Sequence, residues 1–130
     1  MSPSLVRLVL LILIVAVISG VYAFLRAATL TMPEQLAAKG LERARWDTAV
    51  FYVGVAVVVG VLGTFVFGWM GGATSPNAPR SFLLLALGIG VALEIMAALV
   101  FKMRGLADFT ALHIVQVVGF GWLLPMVYIG

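Results

Sequence analysis

Apolar residues fill four stretches of the chain almost without interruption, at 5–25, 48–69, 82–103 and 109–129. Each is close to the roughly 20 residues a helix needs to cross bilayer hydrocarbon. None shows the strict alternation of barrel strands. Within lipid only helices and closed barrels satisfy their own backbone polar groups. The pattern therefore predicts an all-α membrane protein, an up-and-down bundle of four transmembrane helices in a single domain over residues 1–130. The first stretch also has the outline of a signal peptide, with Arg7, an apolar run and the small-residue stretch ending Val21-Tyr22-Ala23. Its run exceeds the about 7–15 apolar residues of such a leader, so an uncleaved span is expected.

The polar intervals supply the connections. Residues 26–47 form the long one. Within it Thr31-Met-Pro-Glu34 has capping-box spacing, with Pro33 suited to a first turn. Leu36, Leu41 and Ala44 can share an apolar side, while Lys39, Glu42, Arg43 and Arg45 carry charge. Two readings stand: a short amphipathic helix on the membrane surface, or a solvated charged linker, favoured by Gly40. Residues 71–80, Gly-Gly-Ala-Thr-Ser-Pro-Asn-Ala-Pro-Arg, have turn chemistry. The last connection is a tight one at Arg104-Gly105.

Composition excludes other classes. The chain is 64% apolar and 10% charged, against about half and a quarter in soluble domains. A soluble domain, a disordered chain and a nucleic-acid-binding module are all ruled out. The net charge of +3 reads as topology, because six of the eight basic residues (Arg26, Lys39, Arg43, Arg45, Lys102 and Arg104) lie in the first and third loops. Both termini are thus expected outside and loops one and three in the cytoplasm. Trp46 on one side, with Trp69 and Trp122 on the other, suits aromatic belts. There is no cysteine, hence no disulfide or thiol chemistry.

Helices in lipid associate by close packing through small residues. Ala56, Gly60 and Thr64 recur at spacing four, continued by Gly68, and Gly90 and Ala98 flank Glu94 at the same spacing. These are expected helix contacts, within the chain or with a second subunit. The expected partners are the lipid bilayer and either further copies of the chain or a larger membrane complex, with no nucleic acid.

Glu94 falls within the third span, where a charged side chain costs a few kcal/mol or more. Counting inward from the cytoplasmic ends, it lies near mid-span, at a depth similar to Gln116, with His113 one turn shallower on the same face as Gln116. Ser19, Tyr22 and Tyr52 fall in the same half. One polar pocket built from Ser19, Tyr22, Tyr52, Glu94, His113 and Gln116 is expected, suited to handling a proton or cation. No cofactor or metal is expected. One histidine cannot supply both axial ligands of a haem within a chain, and Glu94 and His113 fall short of a metal's ligand set. No nucleophile-base signature points to an enzyme. Pro125 is expected to disturb the fourth helix.

The run from Ala92-Leu-Glu94 to Lys102 is similar to the glutamate-bearing helix of small multidrug transporters, where a carboxylate precedes a lysine; here it falls in the third span. Four helices and this topology also resemble the membrane-associated eicosanoid and glutathione enzymes, but Arg43-Ala-Arg-Trp-Asp47 does not reproduce their Arg- and Asn-rich motif. Neither family is assigned. The residues point to a small proton- or cation-linked transport component for a small molecule or ion. The alternative is a non-catalytic accessory subunit of a larger membrane complex.

Overall fold

A computed structural model describes residues 2–102 and 104–129. Among the described residues four helical stretches are long and apolar enough to cross a membrane, and there is no strand. The chain is a small multi-pass helical bundle.

Helix α1 (Pro3–Leu25) starts with Pro3 in its first turn and the Ser2 hydroxyl accepting from the Leu5 N–H at 3.2 Å. The chain then turns at Arg26 into α2 (Ala27–Leu30) and continues into α3 (Pro33–Lys39). The expected capping box does not form. Met32 takes the cap position of α3, and the Thr31 hydroxyl instead meets that of Thr48 at 3.1 Å. Nor do Leu36, Leu41 and Ala44 belong to one loop helix. Gly40 adopts φ +84 and breaks it, a conformation cheap only for glycine. Leu41 and Ala44 therefore begin the second span, α4 (Leu41–Trp69). Its 29 residues reach roughly 43 Å at about 1.5 Å per residue, longer than the hydrocarbon core. The excess is the charged first two turns, where Asp47 meets Lys39 at 3.1 Å and Arg43 at 3.8 Å.

Helix α5 (Ala78–Leu99) begins four residues before the apolar run and stops at Leu99. The expected end at Met103 lies outside the described residues. Lys102 sits at φ +49, which ends any helical continuation. Glu94 is therefore not at mid-span. It lies five residues from the end of α5, or about 7–8 Å along the axis.

The fourth span starts at Leu106, earlier than the apolar run, so Asp108 falls inside its first turn. It comprises α6 (Leu106–Gln116), a π-helical segment (Val117–Leu123) and α7 (Leu124–Ile129). Pro125 has no N–H to offer the carbonyl four residues back. The turn before it widens, and the Leu124 N–H bonds to the Gly119 carbonyl, five residues back. Glycines in this segment admit close neighbours: a Cβ on Gly119 would lie 2.5 Å from Val15, and one on Gly121 would lie 2.9 Å from Ala86.

Helix α1 packs along α4 and against the fourth span, while α5 rests mainly on the π segment and meets α4 only sparsely. Leu8, Val15, Ala16, Ala56, Phe67, Phe82, Phe120 and Leu124 form the buried core. Phe67 stacks edge-on with Phe82 and Tyr128 at 5.3 and 5.1 Å. The end of the bundle near loop two is thus closed by aromatic rings. The opposite end carries the polar side chains.

Candidate functional site

Glu94 projects from α5 onto α6. Its Oε1 lies 2.7 Å from His113 Nδ1, and the Thr110 hydroxyl donates to Oε2 at 2.8 Å. The same hydroxyl lies 2.9 Å from the Leu106 carbonyl, so its one proton can serve either acceptor. Phe109 stands edge-on to the imidazole at 4.2 Å. Both carboxylate oxygens thus have a protein partner, which offsets the cost of a carboxylate among apolar helices. The side chains are not sealed, with Glu94 26% and His113 13% exposed.

Two hollows flank the place where Gly90 approaches Val117. On one side a cleft of about 280 Å³ opens between α4, α5 and the fourth span. Apolar side chains line it, together with His113 and Gln116, its only polar ones among the described residues. On the other side Glu94 lines a shallow outer groove with Leu87, Val91, Ile95, Ile114 and Val118. The Glu94–His113 bond bridges the wall between the two.

The other expected pocket residues lie elsewhere. Tyr22 donates to Asp108 at 2.8 Å. Tyr52 lines a separate cavity beside α3, with Thr31, Gln35, Lys39, Asp47 and Thr48. Ser19 is fully buried in α1, and its Oγ has no hydrogen-bond partner among the described residues. Depth brings these residues to the same end of the bundle, but helix rotation turns them to different neighbours. The single six-residue pocket is not formed. Glu94 and His113 are in contact, with Gln116 on the adjoining cleft.

Asp108, missed in the sequence, anchors a second cluster. It accepts from Tyr22, from Arg26 Nε at 3.0 Å and from the Thr29 hydroxyl. Arg104 donates to the Ala28 carbonyl, and a Cβ on Gly105 would meet the Thr29 carbonyl oxygen at 2.5 Å. The α1–α2 corner is thereby clamped to the start of α6, where an acidic side chain also suits the helix N-terminus. A signal was present: Tyr22, Arg26 and Thr29 follow helical spacing, and Asp108 is an acid at the edge of a span.

The expected packing residues also divide. Ala56 and Gly60 are buried, and a Cβ on Gly60 would lie 2.8 Å from Ile12 and 3.1 Å from Phe120. Thr64 donates to the Gly60 carbonyl at 2.9 Å. Gly90 would bring a Cβ to 3.5 Å from Val117, which is ordinary contact. In α5 it is Ala97, rather than Ala98, that is buried. Gly60→Leu should destabilise the bundle by about 1–3 kcal/mol through overpacking. Thermal unfolding in detergent checks this, and an unchanged midpoint would place the α1–α4 seam elsewhere.

Comparison with protein-family models, curated proteins and solved structures finds no match to this chain.

Proposed function

We propose that the chain is a small proton-linked transport component with the Glu94–His113 pair as its ionisable centre. The observation that carries this reading is the 2.7 Å contact between a carboxylate and an imidazole on two different spans. Such a pair can share one proton along a single hydrogen bond, because each partner can either donate or accept. With Glu94 ionised, the Nδ1–H of His113 donates to it and holds α5 against α6. A proton taken up on Glu94 removes the charge from that bond and loosens the tie. Helix α5 is the least covered of the four spans, so it is the one freest to shift. Thr110, one turn toward the Leu106 end, continues the polar row of α6.

In this reading both termini are outside, loops one and three are cytoplasmic, and the pair sits in the cytoplasmic half. The exposed side of α5 is the face for a second copy of the chain, and it covers Glu94 in the outer groove. The test uses purified wild-type protein in vesicles with an internal pH dye, under a potassium diffusion potential. Expected are proton uptake above that of protein-free vesicles and a homo-oligomeric mass after gentle extraction. Uptake no faster than in empty vesicles, with unlike subunits co-purifying, would instead support a non-catalytic accessory subunit.

A further inference from the structure

We infer that the cleft between α4, α5 and the fourth span binds an uncharged, membrane-dissolved ring compound whose carbonyl or hydroxyl group is held by His113 and Gln116. The inference shares His113 with the proposed proton centre but concerns its other face. Nδ1 is engaged by Glu94, so Nε2 is the ring atom left for a ligand. Its tautomer follows the state of Glu94, so the imidazole can either donate to a carbonyl or accept from a hydroxyl. Gln116 supplies both a donor and an acceptor.

The remainder of the lining is apolar. A charged ligand would lose its hydration there without a counter-charge facing it. An entirely apolar one would leave His113 Nε2 and the Gln116 amide without a partner from the ligand. A ring with one hydrogen-bonding group satisfies both ends. The cleft of about 280 Å³ is at the small end of ligand sites, enough for a ring system rather than a whole lipid. Space arises because Gly63, Ala86, Gly90 and Gly121 contribute no bulk to the lining. The sparse contact between α4 and α5 leaves a lateral way in from the bilayer and room for an apolar tail to trail out.

Two probes of similar shape test this: 2-methyl-1,4-naphthoquinone and 2-methylnaphthalene, which lacks the carbonyls. The chain has no cysteine, so the quinone cannot be captured as a thioether. Binding to the detergent-solubilised full chain is measured by saturation-transfer NMR with competition. The quinone should bind about five- to tenfold more tightly, the factor expected of about one good hydrogen bond. Gln116→Leu should remove most of that preference. Gly63→Leu fills the cleft and should weaken both probes at least tenfold. A Cβ there meets Phe82 and Leu124 at 3.4 and 3.8 Å, which is ordinary contact, and the variant's unfolding temperature is measured beside that of wild type.

Equal affinity for the two probes would overturn the inference, as would Gly63→Leu and Gln116→Leu variants that bind like wild type. If Gly63→Leu does not fold, Gln116→Leu alone decides. Selective quinone binding without proton uptake would remove the transport reading and leave this one standing. Proton uptake without selective binding would do the reverse.

Discussion

Asp108→Ala is expected to be the most destabilising single polar substitution in the chain, at about 2–4 kcal/mol. The carboxylate is nearly buried, and its oxygens receive the Tyr22 and Thr29 hydroxyls and Arg26 Nε. Truncation removes an acceptor from all three at once, and only the Thr29 hydroxyl keeps another, the Arg26 carbonyl at 3.0 Å. The Tyr22 hydroxyl is half-buried, and a donor removed from water and left without a partner costs about 1–3 kcal/mol. The Arg26 share is smaller because its side chain is 52% exposed and water can replace the lost partner. Loss of an acid from the first turn of α6 adds about 0.3–1 kcal/mol. Tyr22→Phe should cost only about 1 kcal/mol, because it deletes one donor and leaves the other two paired. Equilibrium unfolding in mixed micelles compares the variants. An Asp108→Ala protein within about 0.5 kcal/mol of wild type would mean that the corner is not held by this cluster.

The same cluster marks where the sequence stops being legible. Four spans could be read because a helix in lipid has to be apolar along some twenty residues, and the four helices lie where the runs lie. The ends could not be read from apolarity alone. Asp108 and Thr110 sit at the margin of the fourth run, yet both belong to α6. Gly40 splits the long loop by adopting a left-handed φ, which turned Leu41 and Ala44 from loop-helix residues into the start of α4. Helix α5 likewise stops at Leu99, three residues before the positive φ of Lys102.

Rotation was the larger gap. Counting along the axis put Tyr22, Tyr52 and Ser19 in the same half of the bundle as Glu94, but the azimuth of each helix is set by packing. The fit of Ile12 and Phe120 against Gly60, and of Val15 against Gly119, fixes which way each polar side chain turns. The π segment adds a further offset between His113 and the residues beyond it. Pro125 flagged a disturbance there without giving its form. Glu94 and His113 were legible because polar residues among so many apolar ones are costly and therefore need each other.

Loss of proton movement in Glu94 variants is the other large expected effect. Glu94→Gln keeps the shape of the side chain and can still hydrogen-bond to His113 and Thr110, so the helices should remain joined. It cannot take up or release a proton. Glu94→Asp keeps the titrating group but withdraws it by one methylene from a partner at 2.7 Å. If the pair serves only to fasten α5 to α6, Gln should be tolerated at least as well as Asp. If the pair carries protons, that order reverses.

The central measurement is therefore the rate of potential-driven proton uptake by wild-type, Glu94→Asp and Glu94→Gln proteins in matched vesicles, each confirmed to be folded. A proton-carrying pair predicts slowed uptake for Asp and the rate of protein-free vesicles for Gln. A Gln variant that takes up protons as fast as wild type would contradict it.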